Sequence, residues 1–339
     1  MSRIKNRKHD HIKISLTENV RFTTKTAGFE KWEFVHNALP ELNLSDISTE
    51  TMFLGKQLSF PFMFSGMTGG YNRGEKINET LSEIAEAKKI AFGTGSMRPL
   101  FEDPALIKNS AKIRQICKSI PFIGNIGAVN LFREIPEDFI YRLVGEIQPD
   151  ALALHLNPLQ EAIQPEGDTN FSGILNAIEQ LAGKLTIPII VKETGAGISA
   201  KVATKLFDVG IKILDVSGAG GTSWAAVESF RSKQKSEGEL FRNWGIPTAE
   251  CLLQCAKIKG LKIIASGGVT NGQIIGKAIA LGAHLAGCAF PILKRLEESD
   301  ADGVVELINS WMKQLKICLF LTGSKNLNEL NKNKLMKAD

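Results

Sequence analysis

The stretch ALALHLNPLQE, residues 151–161, runs from an apolar segment straight into His155, Asn157, Gln160 and Glu161. An imidazole, two amides and a carboxylate within seven residues can grip an anion, orient an uncharged group and bind a divalent cation. Mg²⁺ suits such a set, because it takes one or two protein carboxylates and completes its shell from phosphate and water. The bland alternatives are a core histidine satisfied by a backbone carbonyl and a glutamate that complements a helix dipole. Four such groups at one strand end favour chemistry.

Other residues could share that chemistry. Arg7, Lys8, His9, Asp10 and His11 form a compact basic cluster. It is either a solvated, fraying terminus or a flap that carries cations to a polyanion, and residue chemistry leaves both open. SGAGGTSW (217–224), SGGVTNG (266–272) and GCAF (287–290) are glycine-rich. Glycines let backbone N–H groups approach an anion closely. One such loop would read as a tight turn; several together point to phosphate. Lys192 follows IPIIV and is either a surface partner of Glu193 or a fixed cation beside a cofactor ring, with Asn125 and Ser96 as hydrogen-bonding companions. Each of the last two, taken alone, reads as a satisfied turn residue. There is no G-x-S-x-G elbow and no His/Cys set with zinc spacing.

These residues need a scaffold that brings them together. Short apolar runs bounded by Gly, Pro or polar clusters occur at 60–65, 90–96, 121–128, 151–157, 187–193, 211–217, 261–267 and 284–290. They do not alternate, as expected of parallel strands covered on both faces. Amphipathic segments lie between them at 75–89, 104–118, 136–147, 173–182, 199–209, 248–258 and 273–280, and a last one follows at 303–321. Eight β-then-α units predict an α/β fold, the closed TIM (β/α)8 barrel. An open doubly wound sheet is the runner-up, but no G-x-G-x-x-G or Walker A pattern occurs. The expected organisation is one domain over residues 1–339. It has an N-terminal extension, 1–59, that carries the basic flap. A long loop without regular structure, 218–245, follows strand 6, and a C-terminal tail spans 322–339, of which the polar stretch 326–339 is expected to be mobile. In such a barrel catalytic groups sit where strands end. Those positions read GMTGG, GTGSMR, GNIGAVN, HLNPLQE, KETGAG, SGAGGTSW, SGGVTNG and GCAFPIL, and nearly all carry glycine with a hydroxyl, amide or charge.

Bulk properties narrow the partners. Hydrophobic residues make up 43% and charged residues 23%, which excludes disorder as the main state. A net charge of +5, without a dense basic stripe, fits a small anionic ligand and not nucleic acid. No apolar stretch has the length of a membrane span, and the N-terminus lacks the apolar core of a signal peptide. The five cysteines are scattered with no CxxC pair, and Cys251 and Cys255 are spaced as core residues of a helix. The expected compartment is the reducing cytoplasm.

With RKHDHI, SGMTGG, GTGSMR, GNIGA, HLNPLQE, VKETGAGIS, DVSGAGGTSW, NWGIPT, ASGGVTNG and LTGSKNLNEL in view, the sequence resembles the type 2 isopentenyl-diphosphate isomerases over almost its whole length. RKxDHI together with HLNxxQE is the specific part of the match. The resemblance implies an FMN-binding barrel that interconverts isopentenyl and dimethylallyl diphosphate in isoprenoid biosynthesis by a 1,3-allylic proton shift. It implies reduced FMN as acid–base cofactor, Mg²⁺ on the diphosphate and NADPH as reductant. By the same likeness Gly66, Met67 and Thr68 line the flavin, and Ser96, Asn125 and Lys192 contact its ring or ribityl chain. Ser217, Thr222, Gly268, Val269, Cys288 and Ala289 hold its phosphate. Arg7, Lys8, His11, Ser96, Arg98, His155 and Asn157 grip the substrate diphosphate. Gln160 lies against the reacting hydrocarbon, Glu161 binds the metal, and Trp224 and Glu228 close over the site; Gln160, His155 and Lys192 are the expected catalytic residues. Family members often carry a basic residue where this chain has Thr270. Family likeness also implies a homo-oligomer, a tetramer or octamer. The competing expectations are an FMN-dependent oxidoreductase of the 2-hydroxy-acid oxidase type and a barrel that only binds flavin or phosphate.

Overall fold

A computed structural model describes residues 3–338 apart from 68, 70–71, 104–105, 132–134 and 233–235. The chain opens with helix α1 (Arg3–Thr17) and short strands β1 (Trp32–Phe34), β2 (Thr51–Phe53) and β3 (Lys56–Leu58). The barrel follows: β4 (Phe62–Phe64), α2 (Asn72–Lys88), β5 (Ala91–Gly93), α3 (Arg98–Glu102), α4 (Ile107–Ile116) and β6 (Phe122–Gly127). Next come α5 (Glu137–Ile147), β7 (Ala151–Leu156), α6 (Pro158–Ile163), α7 (Ile174–Lys184), β8 (Ile189–Glu193), α8 (Ala200–Asp208) and β9 (Ile213–Asp215). After β9 lie α9 (Trp224–Arg231), α10 (Ser236–Leu240), α11 (Thr248–Cys255), β10 (Lys262–Ser266), α12 (Gly272–Ala280), β11 (Leu285–Cys288), α13 (Phe290–Leu321) and β12 (Leu335–Lys337).

Strands β4 to β11 pair in parallel and close into a barrel, with Ala286 of β11 beside Phe62 of β4 at the seam. All eight barrel strands fall inside the apolar runs of the sequence. Their outward residues, such as Leu152, Leu154 and Val191, are fully buried under the helices. Each contributes about 1.5–3 kcal/mol of apolar burial. The cysteines are buried and unpaired, and Cys251 and Cys255 fill the core beneath α11. Among the described residues no helix is long and apolar enough to cross a membrane.

Three expectations need correction. The segment 218–245 is not an irregular loop: α9 and α10 occupy much of it. Ser223 caps α9 by accepting from the Ala226 N–H, and Ala225, Ala226 and Val227 are fully buried, which gives the helix a packing face despite its polar flanks. The tail is not loose either. Leu330 and Leu335 are buried, and β12 pairs antiparallel with β1, Phe34 opposite Leu335. Those two anchors are hidden in the sequence among Asn and Lys. The last helix begins at Phe290, directly after β11, and kinks at Ser299 and Asp300, where Asp300 takes φ 53°. The helix expected at 104–118 is present as α4, and residues 104–105 lie outside the described part.

Candidate active site

Alternate residues of a strand point to the same face, and this sorts each barrel strand into a deep apolar position and a polar one above it. Met63 and Ser65, Ile123 and Asn125, Ala153 and His155, Ile190 and Lys192, and Ile264 and Ser266 face the barrel axis in this order. The polar members form the floor of a cavity of about 310 Å³ at the C-terminal end of the barrel. That size is typical of a small-molecule site. Every sequence-derived site residue borders it except Glu228, which lies behind its wall, and Thr68, which is outside the described residues.

The end of β7 is tightly wired. Asn125 Nδ2 donates to the Thr94 carbonyl at 3.2 Å, which turns its Oδ1 toward His155 Nδ1 at 2.9 Å. His155 therefore carries its proton on Nδ1 and presents the Nε2 lone pair. Burial, reinforced by the charges of Lys192 and Lys8, pushes its pKa down to about 3. Pro158 starts α6, and the next turn brings Gln160 and Glu161 back toward Asn157. Asn157 Nδ2 donates to Glu161 Oε1 at 2.8 Å and to Gln160 Oε1 at 3.2 Å. The other Glu161 oxygen accepts from Gln164 Nε2 at 2.6 Å and the Asp168 N–H at 2.8 Å. Asn157 Oδ1 is buried and has no hydrogen-bond partner among the described residues.

The basic cluster belongs to α1, which docks across the mouth of the barrel. Lys8 Nζ donates to the carbonyls of Gly69 at 2.7 Å and Ser96 at 2.9 Å. Burial and the neighbouring Arg7 charge push its pKa down to about 7. His11 Nε2 bonds Glu228 Oε1 at 2.8 Å, and its ring meets Trp224 edge-on at 5.1 Å. Glu228 is fully buried and also accepts from Gln160 Nε2 at 3.2 Å and Arg231 Nη1 at 2.5 Å. It joins the flap to α6. Arg98 donates to Asn130 Oδ1 at 3.3 Å.

Lys192 does not pair with Glu193 at the surface. Its Nζ donates to the Glu193 carbonyl at 2.6 Å, and the register sets it between His155 and Asp215. The Glu193 side chain is buried on the other face, where it accepts from the N–H groups of Thr194, Gly195, Ala196 and Gly197. Asp215 is buried beneath Lys192 and accepts from Ser266 Oγ at 2.6 Å.

Glycine is required in the loops above β9 and β10. A Cβ on Gly220 would stand 2.1 Å from the Ala27 nitrogen, and one on Gly267 the same distance from the Gly218 carbonyl oxygen. Ser217 holds φ 37°, unusual for a residue with a side chain. On the opposite wall a Cβ on Gly66 would stand 1.9 Å from the Thr94 carbonyl oxygen. Close packing explains these glycines, and it also leaves Ser217, Thr222, Gly268, Val269, Cys288 and Ala289 around one end of the cavity.

A family model for FMN-dependent dehydrogenase matches residues 154–337, over half of the chain and including all of the glycine loops after β9 to β11. An isopentenyl-diphosphate delta-isomerase of Pseudescherichia vulneris is 45% identical over 97% of this chain and 95% of its own length. One of Pyrococcus furiosus is 41% identical over 96% of this chain and 85% of its own. The chain belongs to the isopentenyl-diphosphate delta-isomerase family. Among solved structures, the (S)-mandelate dehydrogenase of Pseudomonas putida superposes with a TM-score of 0.69 at 15% identity, over 98% of this chain and 99% of that one. This last likeness shows the shared barrel.

Several residues around the site of this isomerase-family chain escaped the sequence reading. Gln164 is one helical turn from Glu161, and Arg231 is one turn from Glu228 and pairs with Glu166. Their i, i+3 spacing was a usable signal. Asn130 sits in GNIGAVN, a strand-end segment that already pointed to the site. Nothing in the sequence marked Asp168, which acts through its backbone N–H.

Proposed function

We propose that this chain interconverts isopentenyl and dimethylallyl diphosphate by a 1,3-allylic proton shift, with FMN, Mg²⁺ and NADPH as reductant, acting in the cytoplasm as one barrel domain in a homo-oligomer. The observation that carries the reading is a cavity with two anion-binding ends. Glycine loops line one end, and Arg7, Lys8, His11 and Arg98 border the other, with Gln160 and Glu161 between flap and floor. A dehydrogenase needs the first end; an isoprenoid diphosphate needs both. The full-length kinship to named isomerases supports the same choice.

The residues fit both absent groups. The glycine cradle would hold a flavin phosphate, and Lys192, Asn125, Gly66, Met67 and Ser96, which line the same cavity, would meet the rest of the flavin. The Glu161 carboxylate and the unpartnered Asn157 Oδ1 suit a divalent cation or its water. Among the described residues no three His, Cys, Asp or Glu side chains converge, so the rest of a metal shell falls to substrate phosphate and water. When bound, reduced FMN supplies acid–base chemistry at the allylic system. The chain itself grips the diphosphate, with Arg7 and Arg98 offering planar forks and Lys8 a point charge. Gln160, with donor and acceptor both engaged, holds one orientation against the hydrocarbon. Trp224 and α1 keep water out while charge develops there.

The deciding assay combines purified protein, isopentenyl diphosphate, FMN, Mg²⁺ and NADPH. Allylic product with only catalytic consumption of NADPH is expected; consumption matching turnover would instead make the enzyme an oxidoreductase. A folded, yellow protein with no product would overturn the assignment altogether.

Two further outcomes follow from the wiring. Glu161→Ala should lose its response to Mg²⁺ while still binding FMN; activity that still rises with Mg²⁺ as in the parent excludes Glu161 as ligand. Substrate binding should also take up protons. Lys8, with pKa about 7, is mostly neutral at pH 8, and His155, with pKa about 3, is fully neutral. A diphosphate beside them favours their charged forms. Calorimetry at pH 8 in buffers of different ionisation enthalpy should therefore show uptake of about one proton, and less at pH 6, where Lys8 is already charged. The stability signs agree. Both pKa values are lowered on folding, so the His155 contribution is complete above about 6.5 and is lost as pH falls toward 3. No proton uptake at pH 8 would remove these two groups from the substrate's contacts.

A further inference from the structure

We propose that Arg21 supplies the cation for the phosphate end of the flavin, and so sets how strongly this chain prefers FMN to uncharged riboflavin. The inference rests on reading the glycine loops as a phosphate cradle.

The loops at that end, SGAGGT (217–222), SGGVT (266–270) and CAFP (288–291), contain no Lys, Arg or His. Backbone N–H groups bring only partial charges, so a phosphate dianion held by them alone keeps excess negative charge. The other cations of the cavity lie elsewhere: Arg7, on α1, is near the charges of Glu166, Glu161 and Glu228. Lys8 is bound to the Gly69 and Ser96 carbonyls, Arg98 to Asn130 and His11 to Glu228, while Lys192 stands at the end of β8 beside Asn125's neighbour His155.

Arg21 is placed differently. Its main chain bridges Thr222, a member of the cradle, in antiparallel fashion. Its carbonyl accepts from Arg242 Nε at 2.9 Å, and Arg242 in turn is held by Glu239 at 2.8 Å. The backbone is thus fixed against the loop that follows β9. The side chain borders the cavity together with Gly220, Gly221, Gly268 and Phe290. Its guanidinium carbon lies 6.0 Å from the centre of the Phe290 ring, at the start of α13. An aromatic face steers a planar cation without neutralising it. Among the described residues no carboxylate pairs with this guanidinium, so its charge is available to a ligand. Arg21 is solvent-exposed at the rim, which predicts a screened, moderate effect.

The test titrates the full-length chain, freed of flavin, with FMN and with riboflavin, following flavin fluorescence. Arg21→Gln should weaken FMN binding roughly fivefold, the size of a partly screened charge pair, and leave riboflavin within about twofold. Arg21→Lys should recover part of the loss, since it restores the charge without the fork. FMN affinity of the parent should fall with added salt more steeply than that of Arg21→Gln. Equal weakening of both flavins would mean that Arg21 only packs against Thr222, and unchanged FMN affinity would mean that it does not meet the phosphate; either result overturns the proposal. A parent chain that binds FMN no more tightly than riboflavin would instead overturn the phosphate cradle itself.

Discussion

Gln160→Ala is expected to lower kcat for isomerisation by roughly three orders of magnitude while FMN affinity stays within about twofold. The side chain is a neutral amide with both ends committed: Nε2 donates to Glu228 Oε1 at 3.2 Å, and Oε1 accepts from Asn157 Nδ2 at 3.2 Å. A group held from both sides loses little freedom when substrate arrives, and such preorganisation is what a positioned catalytic group requires. Alanine removes the amide and leaves α6 intact, because Gln160 is neither its cap nor a core residue. The glycine loops that would hold FMN lie across the cavity, so cofactor retention separates loss of chemistry from loss of fold. Gln160→Glu should be equally damaging for another reason: it sets a second carboxylate within 3.2 Å of Glu228. Parent-like turnover in Gln160→Ala would remove this residue from the mechanism.

The barrel was legible because its strands are fully covered on both faces, which forces short, wholly apolar runs, and because each run ends in residues no core would select. The ALALHLNPLQE stretch shows both halves of that rule. What the sequence concealed was held by few or distant contacts. Residues 224–231 read as loop, since their helix rests on a small apolar cluster of Val20, Ala226 and Val227 with Ile14, Trp224 and Phe230 packed against it. The tail read as mobile because its anchors, Leu330 and Leu335, stand among polar neighbours, and Leu335 finds its partner Phe34 some 300 positions earlier in β1. The basic cluster was undecided for a similar reason. Lys8 is tied to carbonyls at 69 and 96, and His11 to a carboxylate at 228. No local pattern announces such contacts. Site chemistry was therefore visible as residue type, and the linkage between its parts was not.

That linkage leads to the second large effect. Glu228→Ala should destabilise the protein by about 3–5 kcal/mol, the loss typical when one partner of a buried ion pair is removed. Glu228 is 0% exposed and gathers three donors from three directions: His11 on α1, Gln160 on α6 and Arg231 on its own helix. Burial pushes its carboxyl up. The hydrogen bond and charge of His11, the charge of Arg231 and the Gln160 hydrogen bond outweigh this and hold it below the ordinary carboxylate value. With alanine, Arg231 keeps only Glu166, His11 loses its anchor, and Gln160 loses the acceptor that orients it. Urea unfolding reads the stability loss. Tryptic cleavage within α1, which carries Arg7, Lys8 and Lys13, reads release of the flap, and a higher KM for the diphosphate reads its consequence. Glu228→Gln keeps an acceptor for His11 but turns an amide N–H toward Arg231, so an intermediate loss is expected. The pH dependence supplies an independent check. A carboxyl whose folded pKa is lowered adds stability above its unfolded value, and this is lost as pH falls through the folded value. Glu228→Gln should therefore flatten the acid limb of the stability profile below about pH 4.5, the ordinary carboxylate value. If Glu228→Ala unfolds at the parent's urea concentration and leaves α1 as resistant to trypsin as before, the carboxylate is not the joint between flap and active site.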